Sequence, residues 1–260
     1  SEFDAISPDP YDKRLAEVQF LKKCFPDQCD RLTNFLIDDG YYRGDAELSL
    51  VHDLITKLTI EQLQQFQSFT HGRCQAFFDF SLQMVNGAWE LTSQPRDPYV
   101  YRQTAGAALV GAEQDFRKEP RIFPSIREEV ITNPELLIFI RGIANIVGNV
   151  RRDVMAMSMQ FILTRTIARS KRTGSPTPEG RHKDGANYIV SAAVIKRQNV
   201  TGGASRVFDN SGRILLDHEL KAGEFLFLDD ENSFHDATSL SVVDSTCEGT
   251  RDVIGLTVTY

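Results

Sequence analysis

The chain has 260 residues, of which 41% are hydrophobic and 25% are charged, an ordinary composition for a folded globular protein. A formal net charge of −7 argues against a general binder of nucleic acids or of acidic membranes. The cysteines, Cys24, Cys29, Cys74 and Cys247, do not form the two close pairs of a structural zinc site, so we expect free thiols.

The sequence carries no sign of secretion or of membrane insertion. No apolar run approaches the roughly 18 residues that a transmembrane helix needs. The first ten residues, SEFDAISPDP, lack the basic and apolar regions of a secretory signal. We therefore expect a cytoplasmic protein whose partner is neither a membrane nor a nucleic acid.

Helical spacing of apolar residues dominates the first half of the chain. It extends from Tyr11 to about Met84. A further helical stretch, residues 125–150, restarts at Asn133-Pro134, where a capping residue precedes a proline in the first turn. We expect residues 1–150 to form mostly a helical preface and supporting helices.

After Arg152 the apolar pattern shortens to a period of two residues, which is typical of strands. In the first such segment, Met155, Met157 and Met159 share one face. Core filling by these methionines is favoured over a soft binding surface, because a period of two fits one buried face of a strand.

Further short runs rich in Val, Ile, Phe and Thr follow, separated by Gly, Asn and Asp. The sequence DNSG at Asp209–Gly212 predicts a hairpin turn. Residues 151–260 therefore predict an antiparallel sandwich or barrel, and the chain as a whole, 1–260, predicts a single α+β domain.

His182 and Asp184 stand two positions apart, just before an apolar run. On an extended chain their side chains would point to the same side, so one cation could meet both. Short motifs of this kind often arise by chance, and the pair alone is weak support for a metal site. A hydrogen-bonded pair at the start of a strand is the alternative.

His235 is a candidate third ligand. It follows the apolar run GEFLFLD and would lie at a strand end or a turn. Two imidazoles and one carboxylate form the facial triad of non-haem Fe(II) sites, which leaves positions on the metal free. A structural zinc site would need a fourth ligand and would usually recruit cysteine.

Arg251 opens the last predicted strand, RDVIGLTVTY. A buried guanidinium requires an anion, and its planar fork suits a carboxylate. A dicarboxylate such as 2-oxoglutarate could therefore bind the metal at one end and Arg251 at the other. A salt bridge from Arg251 to a carboxylate on a neighbouring strand is the alternative.

Several motifs follow one another between about Pro176 and Tyr260. They are Pro178-Glu179-Gly180, His182-Lys183-Asp184-Gly185, Asn199-Val200-Thr201-Gly202-Gly203, Asp229-Asp230 with His235, and Arg251-Asp252-Val253. In this order they resemble the Fe(II)- and 2-oxoglutarate-dependent dioxygenases of the L-isoleucine 4-hydroxylase-like family. Upstream of these motifs the likeness is weaker.

The resemblance implies a double-stranded β-helix (a cupin-like jelly roll) with the helical N-terminal region packed against it. It implies Fe(II) held by His182, Asp184 and His235, and Arg251 as the anchor of the distal carboxylate of 2-oxoglutarate. The implied reaction converts 2-oxoglutarate and O₂ to succinate and CO₂ and hydroxylates a small substrate, above all a free aliphatic L-amino acid. Another oxidation of a related metabolite is equally compatible with this chemistry.

Other side chains carry weaker expectations. Gln160, on the first predicted strand of the barrel, could face 2-oxoglutarate or the substrate, and Arg165 could meet a substrate carboxylate. His52, His71 and His218 have no partner at ligand spacing. The alternative function is a non-catalytic cupin-like protein that binds or senses a metal or a small molecule. The sequence leaves the oligomeric state open.

Two further motifs have plain structural explanations. Asp229-Asp230 lacks the spacing of a calcium loop, and we expect a solvated turn in which one carboxylate orients a metal ligand. Gly202-Gly203 predicts a hairpin or a bulge, because no switch from strand to helix surrounds it as in a phosphate loop.

Overall fold

The structure is a computed structural model that describes residues 2–6, 19–32, 45–63, 72–96, 99–101, 106–110, 121–123 and 125–260. More of the described residues belong to strands than to helices. The strands are β1 (Arg73–Val85), β2 (Ala88–Gln94), β3 (Tyr99–Tyr101), β4 (Ala108–Leu109), β5 (Arg121–Phe123), β6 (Ala156–Ala168), β7 (His182–Lys183), β8 (Tyr188–Gln198), β9 (Val200–Gly202), β10 (Ser205–Asp209), β11 (Ile214–His218), β12 (Phe225–Asp229), β13 (Ser233–Ala237), β14 (Leu240–Val242) and β15 (Gly249–Thr259).

Two antiparallel sheets contain most of these strands. The larger sheet has the order β12-β8-β15-β6-β1-β2, and the smaller has the order β11-β10-β13-β7-β4. Side chains of both sheets line a common cavity, with Arg251 on the larger sheet and His235 on the smaller. The two sheets therefore enclose an interior, as in the predicted jelly-roll core.

Among the described residues, the helices with defined bounds are α1 (Asp45–Thr56), α2 (Glu128–Ile131) and α3 (Pro134–Val150), together with 3₁₀ turns at Glu2–Ala5 and Pro26–Gln28. Residues 19–24, 29–32 and 60–63 are also helical. The predicted start of α3 is confirmed, because the side chain of Asn133 accepts hydrogen bonds from the backbone N–H groups of Glu135 and Leu136. Proline in the first turn loses no hydrogen bond, since that N–H has no partner within a helix.

The main hydrophobic core lies between α3 and the outer face of the larger sheet. The helix contributes residues at intervals of three and four, namely Leu136, Ile140, Ile143, Ala144 and Val147. The sheet contributes alternate residues of several strands, among them Phe78, Phe80, Leu82, Met157, Met159, Phe161, Leu163, Leu256 and Val258. The opposite, inner face of the same strands is thereby left to line the interior.

The prediction of helix up to about Met84 is wrong for the residues that form β1. In that strand Ala76, Phe78, Phe80 and Leu82 are all buried in the main core, which is a period of two. Pairing of β1 with both β2 and β6 stabilises the strand, and this tertiary context overrides the apolar spacing that had suggested a helix. The described residues between 72 and 123 therefore form strands β1 to β5 and contain no helix.

The packing of a helical N-terminal region against the barrel stays a prediction. Among the described N-terminal residues, Leu21, Leu32, Val51 and Leu54 form a separate small apolar cluster. The helix that covers the larger sheet is α3, from the middle of the chain.

The strands predicted after Arg152 are observed, but His235 is the central residue of β13 and does not lie at a strand end or a turn as predicted. Met157 and Met159 on β6 are buried in the main core, whereas Met155 precedes the strand and is exposed. The hairpin predicted at Asp209–Gly212 joins β10 and β11. No helix among the described residues is long and apolar enough to cross a membrane. Cys24, Cys29 and Cys74 are half-buried, and Cys247 is exposed.

Candidate metal centre and adjoining cavities

The side chains of His182, Asp184 and His235 lie together in the interior. Nε2 of His182 is 3.5 Å from Oδ1 of Asp184, and Nε2 of His235 is 3.7 Å from Oδ2 of the same carboxylate. In the part of the chain that the structure describes, these side chains form a cluster whose ligand atoms all lie within 4.8 Å of one another. One divalent cation could bind all three and keep coordination positions open.

Strand pairing brings the two histidines together although they are far apart in the sequence. His182 on β7 and His235 on β13 are direct partners in the antiparallel ladder. Residues directly opposite each other project to the same side of a sheet, and the two ring centroids are 4.2 Å apart. Asp184 stands two positions beyond His182, so that its carboxylate returns to this side.

The turn before β7 determines which nitrogen of His182 is available. Nδ1 of His182 lies 2.7 Å from the carbonyl oxygen of Gly180, and a carbonyl can only accept, so Nδ1 carries the proton. Nε2 then carries the lone pair, and it lies on the side of the ring that faces Asp184, where a metal-binding imidazole needs it. Gly180 has φ +79, a conformation that L side chains rarely adopt, which explains a glycine here.

Asp230 holds the loop that carries Asp184. Its side-chain oxygens accept hydrogen bonds from the backbone N–H groups of Asp184, Gly185 and Ala186 at 3.2, 2.7 and 3.0 Å. Asp230 is only 1% exposed, and burial, followed by the charge of Asp184, raises the pKa of its carboxyl. Of the two neighbouring aspartates, Asp230 is therefore the one placed to orient a candidate ligand, whereas Asp229 accepts from Asn232 in an exposed turn.

The inner face of β1, β6 and β15 carries cross-strand rows of side chains. The rows at the two ends are polar or charged, and the middle row is apolar. From one end to the other they are Arg73/Thr166/Arg251, Gln75/Thr164/Val253, Phe77/Ile162/Gly255, Asp79/Gln160/Thr257 and Ser81/Ser158/Thr259.

A first cavity, of about 120 Å³, lies at the arginine end of these rows. It is lined by all three candidate ligands and by Arg251. The sequence-predicted residues His182, Asp184, His235 and Arg251 thus line one cavity.

Arg251 is a buried cation in this cavity. It is 2% exposed, and its Nε and Nη2 atoms have no hydrogen-bond partner among the residues that the structure describes. Burial, with a smaller effect of Arg197, lowers the pKa of Arg251 to about 10, so the guanidinium is still charged near neutral pH. The alternative of a salt bridge to a neighbouring strand is not observed among the described residues, and the site has the chemistry to bind an anion.

A second arginine, Arg73, lines the same cavity but is paired. Its Nη1 lies 3.2 Å from Oε2 of Glu179 and donates to the carbonyl oxygen of Pro176, also at 3.2 Å. The sequence reasoning assigned no role to Arg73, because it lies in the segment predicted as helix. The pair connects β1 to the turn that orients His182.

A second cavity, of about 300 Å³, adjoins the first and shares Asp184, Tyr101 and Thr257 with it. Gln160 lines this second cavity and not the one that contains Arg251. Its amide nitrogen donates to the hydroxyl of Tyr99 at 2.8 Å, and that hydroxyl donates to Oδ1 of Asp79 at 2.6 Å. Arg96 lies 3.2 Å from the other oxygen of Asp79.

Asp79, Tyr99 and Arg96 were missed in the sequence. The alternation of polar and apolar residues in QAFFDFSL would have placed Asp79 on the face of β1 opposite the core, had the segment been identified as a strand. Tyr99 comes close to Asp79 only through the tertiary fold, and no local spacing indicates it.

Several other predicted residues lie elsewhere. Arg165 forms a bidentate pair with Asp252, at 2.7 and 2.8 Å, and does not line either cavity. It differs from Gln160 in parity along β6 and therefore faces away from the interior. His218 is exposed and lies 3.2 Å from Glu224, His52 belongs to α1, and His71 lies outside the described residues.

Comparison with known proteins supports the fold. A BsmA homologue from Methylobium petroleophilum PM1 is similar, with a TM-score of 0.60 and 23% identity over 74% of this chain and 73% of that one. IDO from Bacillus thuringiensis is similar, with a TM-score of 0.57 and 20% identity over 81% of this chain and 87% of that one. No curated protein matches the sequence.

The family model described as 2OG-Fe dioxygenase matches residues 61–257, which is most of the chain and includes every candidate ligand. This family uses Fe(II), 2-oxoglutarate and O₂, and the His-Asp-His cluster has the donor set that such an iron requires. The chain therefore belongs to the 2OG-Fe dioxygenase family.

Proposed function

We propose that this protein hydroxylates a small molecule, with His182, Asp184 and His235 holding Fe(II) and Arg251 binding the distal carboxylate of 2-oxoglutarate. The observation that carries the proposal is the buried guanidinium of Arg251 in the cavity of the three ligands. A protein that merely bound a metal would have no need of this cation, and leaving it buried without an anion costs stability.

The charges of the first cavity support a dianion together with a divalent metal. Arg73 pairs with Glu179, and Asp236 pairs with Arg206 at 2.6 and 2.7 Å, so these four charges cancel. With neutral imidazoles, Arg251 and Asp184 cancel as well. Addition of Fe(II) and doubly charged 2-oxoglutarate then keeps the interior neutral, which a buried site requires.

In this proposal, the residues of the chain position the metal ligands and 2-oxoglutarate for the reaction. When bound, Fe(II) with 2-oxoglutarate and O₂ supplies the oxidising power, and 2-oxoglutarate leaves as succinate and CO₂. Gly180 fixes the tautomer of His182, Asp230 holds the loop of Asp184, and Arg251 fixes one end of 2-oxoglutarate. The apolar row Phe77/Ile162/Gly255 lies between the row of Arg251 and the row of Asp79 and gives this part of the inner face a non-polar surface.

We infer that the substrate is a free L-amino acid, in keeping with the resemblance to L-isoleucine 4-hydroxylase-like enzymes. The second cavity supports a small polar substrate, because its volume of about 300 Å³ is at the lower end for ligand pockets. Gln160 lines that cavity, which favours contact with the substrate over contact with 2-oxoglutarate.

Anaerobic addition of Fe(II) and then 2-oxoglutarate tests the cofactor assignment. We expect a weak visible absorption band from the complex, and slow succinate formation when O₂ is admitted without substrate. A panel of free amino acids should then accelerate succinate release, with a product heavier by one oxygen atom. A folded protein that binds Fe(II) but gives neither band nor succinate would support the alternative, a non-catalytic metal-binding protein.

A further inference from the structure

We infer that the second cavity binds the dipolar head of the substrate, with Asp79 accepting from its ammonium group and Arg96 donating to its carboxylate. The inference rests on the proposed function, because it names the groups by which that reaction would recognise its substrate. It assigns a role to residues outside the metal centre and outside the motifs of the sequence.

The inner surface at this point is polar across four neighbouring strands. Gln94, Asp79, Gln160 and Thr257 are successive partners across β2, β1, β6 and β15, and all four line the cavity. Next along the strands comes the row Ser81/Ser158/Thr259, which lines it too. Gln94, Ser158 and Thr259 are exposed, whereas Asp79, Gln160 and Thr257 are half-buried, so this end of the cavity is open to solvent. Its hydrogen-bonding groups need polar partners when a ligand displaces water.

Asp79 is held ready to accept hydrogen bonds. Tyr99 donates to its Oδ1, and Gln160 in turn donates to the hydroxyl of Tyr99. Burial, followed by the contact with Asp79, raises the pKa of Tyr99, so Tyr99 keeps its proton and remains a donor. The second oxygen, Oδ2, is the one that faces Arg96.

The pair of Arg96 and Asp79 can open at little cost. The side chain of Arg96 is 57% exposed, although that of Asp79 is only 17% exposed, so Arg96 can exchange its contact with Asp79 for water or for a ligand. A ligand with one positive and one negative group can replace this contact with two charge-assisted hydrogen bonds. The net charge of the cavity does not change, which favours a dipolar ligand over a simple anion or cation.

The spacing of the rows suits a single amino acid. The row of Asp79 lies two residues along β1 from the apolar row of Phe77, which is about 7 Å on a strand. Asp79 and Asp184 both line the second cavity, so an aliphatic side chain can extend within it from the row of Asp79 toward Asp184. The carbon that reacts would then lie near the end of the side chain, away from the head.

Calorimetric titration separates recognition of the substrate from turnover. The whole chain is loaded with Mn(II) and 2-oxoglutarate and titrated with each of the common free L-amino acids. The tightest binder is compared with its methyl ester, which lacks the carboxylate charge, and with its N-acetyl derivative, which lacks the ammonium charge. We expect each derivative to bind at least about tenfold more weakly, the loss of one charge-assisted contact.

Two substitutions test the assignment of the two groups. In Asp79→Asn, the N-acetyl derivative should bind nearly as tightly as the free amino acid. In Arg96→Gln, the methyl ester should bind nearly as tightly as the free amino acid. Arg96 is mostly exposed, so its replacement tests the idea even if the Asp79 variant fails to fold. Asp153→Asn, on the surface, serves as the matched control.

Failures of the two proposals give different results. If the loaded protein binds 2-oxoglutarate but no free amino acid, or if both variants discriminate as the parent does, the dipolar site is refuted. If the Mn(II) protein does not bind 2-oxoglutarate at all, the proposed function itself fails.

Discussion

Arg251 and Arg96 are both cations beside the same interior, but their surroundings differ. Arg251 is 2% exposed, and two of its nitrogens have no partner among the described residues. Arg96 is mostly exposed and already rests against Asp79. A buried, unpaired charge suits an anion that is present in every turnover, whereas a solvated pair can open and close for a ligand that comes and goes.

This contrast suggests a division between the two cavities. The first is small, and it is lined by three candidate ligands and by Arg251, which has no salt bridge among the described residues. The second is larger and is lined by the Asp79–Arg96 pair together with neutral polar side chains such as Gln94, Gln160 and Thr257, which could adapt to another substrate without any change in the iron chemistry. Substitution of the shared residue Asp184 should therefore affect ligand binding in both cavities. Substitution of Arg251 or of Tyr99 should affect ligand binding in one cavity only.

The largest effect is expected for Asp184→Ala, because this carboxylate lies between the two imidazoles and lines both cavities. Loss of an outer-shell partner lowers metal affinity or activity by roughly 10- to 100-fold. Loss of a direct ligand should have a larger effect, so we expect the rate of succinate formation to fall more than a hundredfold. Fe(II) binding should weaken in parallel. Asp217→Ala, an exposed acid on β11, is the control, and substantial turnover by the Asp184 variant would contradict the ligand role.

Arg251→Met should affect the first cavity alone and in two opposite ways. Loss of the charge-assisted contact should weaken 2-oxoglutarate binding by about 2–3 kcal/mol, roughly 30- to 150-fold in Kd. The free protein should melt at a higher temperature, by about 2–4 °C for each kcal/mol gained, because an unpaired buried charge is gone. Melting curves with and without 2-oxoglutarate measure both effects, and lower stability of the free variant would show that Arg251 has an unseen partner.

The sequence predicted the metal side of this contrast better than the substrate side. The order of the motifs along the chain resembles that of a known family. It therefore predicted that four residues in or beside those motifs lie close together, namely His182, Asp184, His235 and Arg251. The alternation in β6 predicted its strand as well. These residues lie in segments where local pattern and tertiary structure agree.

The prediction of secondary structure failed where the same apolar residues fit both a helix and a strand and only the tertiary fold decides between them. The apolar residues of β1 fit both a helix and a strand, and the wrong choice hid Arg73 and Asp79. The pairing of Tyr99 with Asp79 joins residues of different strands, which no spacing in the sequence indicates. Gln160 and Arg165 were proposed together, yet an odd separation on one strand places them on opposite faces.

Asp230→Asn tests whether the metal centre depends on a carboxylate that does not touch the metal. The amide retains one oxygen but cannot accept from all three N–H groups of the loop as a carboxylate does. We expect Mn(II) affinity to fall about 10- to 100-fold, as for other outer-shell partners. Asp229→Asn, in the same turn but exposed, should leave the affinity unchanged; equal losses in both variants would mean that the turn, not Asp230, matters.

Tyr99→Phe should give the smallest effect and the clearest separation of the two cavities. The variant keeps the ring that stacks on Phe77 but loses the hydroxyl that donates to Asp79 and accepts from Gln160. One such hydrogen bond contributes about 1 kcal/mol, so the affinity for the amino acid substrate should fall about fivefold. The Kd of 2-oxoglutarate, measured on the same Mn(II)-loaded sample, should change less than about twofold, because Arg251 lies at the other end of the inner face. An equal loss for both ligands would mean that Tyr99 stabilises the interior as a whole, and the two cavities would then not be independent.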